Sequence, residues 1–320
     1  MIGRNVLITG GAGFIGSHLA DHLISCGNHV LSIDNLVNGS LKNIEQHNGT
    51  ENFKFFKIDL VDFSKLEAFF SDNKIDVVFH LAANSNIQLG SEDLEVDLKN
   101  TFMTTFNILR CMKKFNLKEL VFASSSAIYG ESEGELSEDC GPLFPISFYG
   151  SAKLASEAYV SAFCENFEIK AWIIRFPNVV GERLTHGVLY DFIYKLSKDP
   201  SVLHVLGDGK QTKPYLYVKD LIDAICFAYK KSKEKINYYN ISADSTTSVE
   251  RIAEIVIKVM NLKNVTLEYK GSDRGWVGDV PMFSYNTTKV KSLGWAPRMS
   301  SDAAVKLAVE RELIHRGLVN

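Results

Sequence analysis

The chain lacks several things, and each absence removes a class of function. Neither sign of charge dominates: 35 Lys and Arg stand against 38 Asp and Glu, a formal net charge of −3. A basic surface for nucleic acid or anionic lipid is therefore not expected. No uninterrupted apolar run approaches the roughly 18 residues that suggest a membrane-spanning helix. Cysteines number only five, Cys26, Cys111, Cys140, Cys164 and Cys226. They are scattered, odd in number and form no Cys-x-x-Cys pair, so neither a disulfide framework nor a metal site is predicted, and a reducing, cytoplasmic setting is. The first apolar stretch is broken by glycines and has no basic leader, which argues against a signal peptide. No linker or low-complexity segment divides the chain.

What is present is ordinary for a soluble globular protein: 46% hydrophobic and 23% charged residues in a chain of 320. That length allows one large domain or two modest ones.

The informative stretch is Val6-Leu-Ile-Thr-Gly-Gly-Ala-Gly-Phe-Ile-Gly-Ser17. Val6 to Thr9 is a short apolar run suited to a buried strand. Gly10, Gly13 and Gly16 follow at three-residue spacing, and Phe14, Ile15 and the apolar positions to Ile24 have helical period. Strand, glycine turn and helix in that order form a pyrophosphate site. Gly10 allows the tight turn, Gly13 the approach of backbone to phosphate, and Gly16 close packing of helix on strand. The first N–H groups of the helix then face the anion. His29 to Ile33 reads as a second strand, with Asp34 at its end, 18 residues past Gly16, and Asn35 beside it. A carboxylate there accepts from both adenosine ribose hydroxyls and repels a 2′-phosphate, favouring NAD over NADP.

The first half continues to alternate. Strands are expected at Phe53–Ile58, Val77–Leu81, Leu120–Ala123 and Ile169–Arg175, with helices near Phe63–Ser71 and Asp97–Lys114. The fold class predicted is α/β, a doubly wound parallel sheet, with a smaller mixed lobe formed by the later chain. On the longer helix Phe102, Phe106, Leu109 and Met112 are expected to form a buried stripe. Right-handed crossovers place the carboxyl end of every strand on one edge, where ligands bind. That edge carries Asp59-Leu60, His80-Leu81-Ala82-Ala83 and Ser124-Ser125-Ser126.

Pro145 to Lys153 opens a helix expected to run to about Glu165 and bearing Tyr149 and Lys153, four residues apart on one face. Tyr-x-x-x-Lys alone carries little weight, since the chain repeats it at Tyr194/Lys198, Tyr215/Lys219, Tyr229/Lys233 and Tyr285/Lys289. Only the Tyr149 copy begins a helix shortly after a serine-bearing strand end inside a dinucleotide-binding half. Later in the chain, Leu206 to Tyr215 reads as a glycine-rich turn with cationic groups. Val218–Lys231, Val249–Met260 and about Ser301–His315 read as helices, Tyr238–Ile241 and Val265–Tyr269 as strands, and Gly271–Pro281 as a loop.

Taken together, Gly10-x-x-Gly13-x-x-Gly16, Asp34, Asp59-Leu60, Leu81-Ala-Ala83, Asn100, Ser125, Tyr149-x-x-x-Lys153 and Arg175-x-x-Asn178 resemble the extended short-chain dehydrogenase/reductase family. Within its NAD-dependent epimerase/dehydratase group the likeness is to the UDP-galactose (UDP-glucose) 4-epimerases, over essentially the whole chain. The resemblance implies an NAD-binding domain at residues 1–175, rejoined by segments at about 210–245, and a mainly substrate-binding lobe at 176–320 with a cleft between. It implies NAD held tightly and regenerated each cycle, a UDP-sugar substrate, a homodimer through the helices at about 97–114 and 148–165, and no nucleic-acid or membrane partner. Ser125, Tyr149 and Lys153 are then catalytic. Gly10, Gly13, Phe14, Ile15, Gly16, Asp34, Asn35, Asp59, Leu60, Leu81, Ala82, Ala83, Asn100, Ser124, Tyr149, Lys153 and Pro177 contact the cofactor. Ser125, Ser126, Tyr149, Asn178, Gln211, Lys213, Arg274 and Asp279 face the substrate. Lys213 stands where an arginine is usual, a cation without the bidentate grip. Arg274 sits two residues before the expected arginine, and Val180 stands where a tyrosine is common.

The resemblance also implies a chemistry. Lys153 acidifies Tyr149, whose phenolate takes the proton of a sugar 4-hydroxyl shared with Ser125. Hydride leaves carbon 4, the 4-keto sugar rotates, and hydride returns to the other face. Sugar-nucleotide 4,6-dehydratases place Asp-Glu after the threonine equivalent to Ser125, but here Ser126 and Ala127 follow. Uronic and N-acetylated UDP-sugars remain open as substrates. Arg183 and His186 could meet a carboxylate or lie in a solvated turn. A non-catalytic NAD-binding sensor is the alternative from another class.

Overall fold

The computed structural model describes residues 2–132, 134–271 and 280–319. The chain divides into two compact units. One comprises Met1–Ile128, Ser147–Arg175 and Ile222–Tyr239; the other comprises Tyr129–Ile146, Phe176–Leu221 and Asn240–Asn320.

The first unit is built on a seven-stranded sheet. Its spatial order is Ile236–Asn240, Lys170–Arg175, Glu119–Ala123, Val77–His80, Asn5–Thr9, His29–Asp34 and Phe53–Lys57. The six strands from Lys170–Arg175 to Phe53–Lys57 pair in parallel. Helices cover both faces of such a sheet, so its inner strands read as apolar runs rather than as alternation. Val77–His80 is buried at every residue, and Asn5–Thr9 at all but the first. Leu66, Phe69 and Phe70 of the helix Phe63–Asp72 pack into one core cluster with Ile108, Leu109, Met112, Leu120, Phe122 and Val160. Truncating a fully buried member such as Leu109 to alanine costs about 2–5 kcal/mol.

The strands and helices of this half fall where the sequence places them, except for one long element. The helix expected from Asp97 begins as a π-helical turn, Leu98–Met103, and becomes α-helical only over Thr104–Lys114. One wider turn rotates the residues before it relative to those after it. Leu109 and Met112 lie in the core as expected, whereas Phe102 and Phe106 are only part-buried. They form an aromatic cluster with Tyr159, at ring separations of 5.0 and 5.7 Å.

The second unit holds the helices Val188–Lys198, Val249–Val259 and Ser301–His315. Among its described residues the strands are short and paired two by two. Asn178–Val180 runs parallel to Tyr215–Tyr217, Thr212–Lys213 antiparallel to Thr247–Ser248, and Val202–Leu206 parallel to Thr266–Lys270.

Candidate active site

The glycine turn has the geometry a dinucleotide needs. Gly10 adopts φ +71°, and a Cβ there would come within 3.0 Å of the Ala82 backbone. A Cβ on Gly16 would collide with the Gly10 carbonyl, so the helix Phe14–Ser25 can approach the strand only because position 16 is bare. Gly13 caps that helix with no side-chain hydrogen bond, leaving its first N–H groups to an external anion. Among its neighbours Phe14 and Ile15 are part-buried.

Asp34 closes its strand beside this turn. Its Oδ2 accepts from the Ala12 N–H at 3.1 Å and its Oδ1 from the Leu36 N–H at 2.8 Å. Burial raises its pKa, opposed by the N–H groups of Leu36, Ala12 and Gly13. Its remaining lone pairs are available to ribose hydroxyls. Asn35 donates to Asp59 Oδ2 at 3.3 Å, which ties together two strand ends on the ligand edge. Leu60 is buried, and its carbonyl accepts from Asn107 Nδ2 at 2.8 Å. Leu81, Ala82, Ala83 and, on the π turn, Asn100 are all part-buried. A narrow glycine cradle, an open helix start and a carboxylate at the second strand end fit NAD.

The tyrosine and lysine are presented by the helix Phe148–Phe167, whose N-cap Ser147 accepts from the Gly150 N–H at 3.1 Å. The Ser125 side chain is near enough to Tyr149 to draw its hydroxyl's pKa down. Ser125 is part-buried and accepts from the Ala127 N–H at 3.2 Å, and Ser126 begins a short 3₁₀ turn. Lys153 is 2% exposed and donates to the Ala123 carbonyl at 2.6 Å. Its Nζ lies 5.8 Å from the centre of the Tyr149 ring and 4.9 Å from that of Phe122.

The protein's own charges do not acidify the tyrosine as expected. Burial pushes the Tyr149 hydroxyl up to about 12; Ser125 pulls it down and the carboxylate of Asp97 adds to the rise. Burial likewise brings Lys153 down to about 7, against the opposing carboxylates of Glu157 and Asp97. In an enclosed site desolvation disfavours the phenolate and the ammonium alike.

The buried partners of Glu157, His80 and Asp97 were not read from the sequence. Ser124, expected at the nicotinamide, turns its hydroxyl to Glu157 Oε1. Glu157 is in turn gripped by Arg175 through Nε at 3.0 Å and Nη2 at 2.7 Å. Glu157 lies one turn beyond Lys153, so its i+4 spacing was the available signal. His80 sits between the hydroxyls of Thr9 at 2.7 Å and Thr105 at 3.0 Å, and burial brings it down to about 3, keeping it neutral. Asp97 is buried where the helix pattern marked only a start.

The remaining candidates belong to the second unit. Asn178 is exposed and pairs in register with Tyr215, two residues beyond Lys213. Pro177 beside it is buried and Lys213 part-buried. Gln211 is buried, donates to the Leu206 carbonyl at 3.5 Å, and keeps Oε1 without a hydrogen-bond partner among the described residues. Such an acceptor suits a ligand donor. Arg274 and Asp279 lie outside the described residues.

Residues 6–242 match the model of the NAD dependent epimerase/dehydratase family. A putative UDP-glucose 4-epimerase of Methanocaldococcus jannaschii is 32% identical over 309 residues, covering 95% of this chain and 97% of the relative. A crystal structure of a UDP-galactose 4-epimerase superposes with a TM-score of 0.86 at 35% identity, over 98% of this chain and 100% of that one. The UDP-glucose 4-epimerase of Thermotoga maritima, solved with UDP-glucose, gives 0.88 at 31% identity, over the same shares. Other relatives are named UDP-glucuronate 4-epimerase, UDP-N-acetylglucosamine 4-epimerase and dTDP-D-glucose 4,6-dehydratase. The family match spans the glycine turn, Asp34 and the Tyr149–Lys153 helix alike, and the chain belongs to the NAD-dependent epimerase/dehydratase family, with NAD as its cofactor.

Proposed function

We propose that this protein is a UDP-sugar 4-epimerase that interconverts UDP-galactose and UDP-glucose. The observation that carries the reading is the helix Phe148–Phe167, which sets Tyr149 and the buried Lys153 one turn apart, the Lys153 Nζ 5.8 Å from the centre of the Tyr149 ring, with Ser125 acting on the Tyr149 hydroxyl. A hydroxyl pair backed by a cation is what proton exchange with a sugar hydroxyl requires. NAD, when bound, would supply the hydride acceptor and, in its oxidised form, a positive charge. Tyr149 takes the proton of the 4-hydroxyl, and Ser125 holds the oxygen as the carbonyl forms. Lys153 stabilises the phenolate without leaving its hydrogen bond to Ala123. When hydride returns to the opposite face of the rotated 4-keto sugar, Tyr149 gives the proton back.

Positions 126 and 127 support epimerisation over dehydration. Serine and alanine there cannot remove a carbon-5 proton or protonate a departing 6-hydroxyl. Asn178, Lys213 and Gln211 are assigned to the UDP portion, on their clustering in the short strand pairs and on the enclosed Oε1 of Gln211. We further infer a homodimer through the helices that carry Phe102, Phe106 and Tyr159. Leu98 and Tyr159 on these elements are 54% and 44% exposed, apolar surface suited to a second copy. Sedimentation at micromolar concentration reads this directly, and a monomer overturns it.

The test of function supplies UDP-galactose to purified protein with no added cofactor and follows products by NMR. UDP-glucose forming in that mixture supports the reading. No conversion even after NAD is added, with turnover of UDP-glucuronate or UDP-N-acetylglucosamine instead, moves the assignment to that sugar. A 4-keto-6-deoxy product contradicts epimerisation.

A further inference from the structure

Glu157 lies one turn beyond Lys153 on the helix Phe148–Phe167, is buried, and takes no part in the proton and hydride transfers. Arg175, which ends the strand Lys170–Arg175, grips it through Nε at 3.0 Å and Nη2 at 2.7 Å and so answers its charge. Glu157 Oε1 nevertheless accepts a further hydrogen bond, from the buried hydroxyl of Ser124. Apolar groups of the same shape in their place would cost the fold little. The bond therefore matters for what it holds.

Ser124 directly follows the strand Glu119–Ala123 and is fixed from two elements at once. Its N–H donates to the Ile174 carbonyl at 2.8 Å, on the neighbouring strand that carries Arg175. Its hydroxyl reaches the helix through Glu157. The residue before it, Ala123, accepts from Lys153 Nζ at 2.6 Å, and the residue after it, Ser125, acts on the Tyr149 hydroxyl. Lys153 and Glu157 thus grip consecutive residues of one strand end from successive turns of one helix. Arg175 closes the ring by fastening Glu157 to the strand that also holds the Ser124 backbone. Directional bonds closed in this way fix the register of a helix on a sheet, which apolar contact alone does not.

Resting on the reading of Tyr149, Lys153 and Ser125 as the proton-transfer group, we propose that Glu157 is a positioning residue for the reaction. By holding Ser124 it sets the strand end from which Ala123 anchors Lys153 and Ser125 meets Tyr149. Without that bond the strand end keeps its backbone link to Ile174 but can turn about it, and the Ala123 carbonyl and Ser125 turn with it. Misplacement of a reacting group by about 1 Å costs up to about 100-fold in rate.

The test is a double-mutant cycle on the NAD-loaded protein. Ser124→Ala removes the hydroxyl and leaves the Glu157–Arg175 pair. Glu157→Asp keeps a charge for Arg175 and draws the carboxylate back from Ser124 by one methylene. Each is expected to lower kcat about 10-fold, with KM for the UDP-sugar and NAD content within about twofold of the wild type's. The double variant should fall no further than the worse single, because both break one bond. Losses that multiply overturn the proposal and give Ser124 a separate contact with the cofactor. An unchanged kcat in either single variant, measured below its melting temperature, overturns it too and leaves Glu157 a stabilising residue only. Should Glu157→Asp fail to fold, the Lys153 ¹³Cε resonance decides in Ser124→Ala, a neutral change distant from Lys153 in sequence. It must shift as the Ala123 carbonyl moves, and an unmoved resonance overturns the proposal. That spectrum needs no substrate, so a wild type that converts no UDP-sugar defeats the functional reading separately.

Discussion

The proposed reaction turns on the hydroxyl of Tyr149, and the protein alone holds the proton on it, with burial pushing it up to about 12. Tyr149→Phe removes the proton carrier while leaving ring packing intact. Turnover is expected to fall by at least about 100-fold, with NAD still bound after purification. Unchanged function with retained NAD would favour the sensor alternative. Lys153 makes a second, independent statement through stability. Its pKa falls from the ordinary 10.5 to about 7 on folding. Between those values the unfolded chain binds the extra proton, so this group makes stability rise as pH rises from about 7 to 10.5, and fall as pH falls. Lys153→Met should flatten that part of the curve of melting temperature against pH; an identical slope in the variant counts against a buried lysine. Glu157→Gln leaves Arg175 without its counter-charge at 9% side-chain exposure. Loss of about 3–5 kcal/mol in denaturant unfolding is expected, and a change below about 1 kcal/mol would show that the pair is solvated.

Among the elements, the strand–glycine–helix at the start of the chain is the most demanding. Gly16→Ala puts a methyl into the Gly10 carbonyl and forces the helix away from the strand. The variant should lose about 1–3 kcal/mol and purify without NAD, as read from its absorbance spectrum; a variant retaining full NAD content would contradict the cradle. This element was legible because all its requirements are local: apolar run, glycine spacing and helical period lie within residues 6–24. The Tyr149 helix was legible for the same reason, its Ser147 cap, Tyr149 and Lys153 being neighbours in the chain. The π turn at Leu98–Met103 was not. Phe102 within the wider turn and Phe106 after it both pack on Tyr159, so their helical spacing conceals the turn, which shows only in the backbone. Glu157, Asp97 and His80 escaped for another reason. Each matters through a partner distant in sequence, Glu157 through Arg175, Asp97 through Asn84 and Gly90, and His80 through Thr9 and Thr105.

Across the whole molecule the two units differed in how much the sequence disclosed. The first repeats one plan, apolar strand then amphipathic helix, and its order follows from right-handed crossovers. The second is held by strands of two to five residues joined over long separations, such as Glu135–Leu136 with Ser284–Tyr285. Two-residue strands carry no period, and the partners that would reveal them lie elsewhere in the chain. The helix Val188–Lys198 and the strand Val202–Leu206 went unrecognised there.

The central claim is that hydrogen leaves carbon 4 as hydride and comes back to the same carbon. UDP-galactose deuterated at carbon 4, converted by the purified protein in ordinary water, tests it most directly. The account predicts UDP-glucose with the deuterium still on carbon 4, its configuration inverted. Deuterium lost to solvent during conversion would show that the carbon–hydrogen bond breaks as a proton, and would contradict the account.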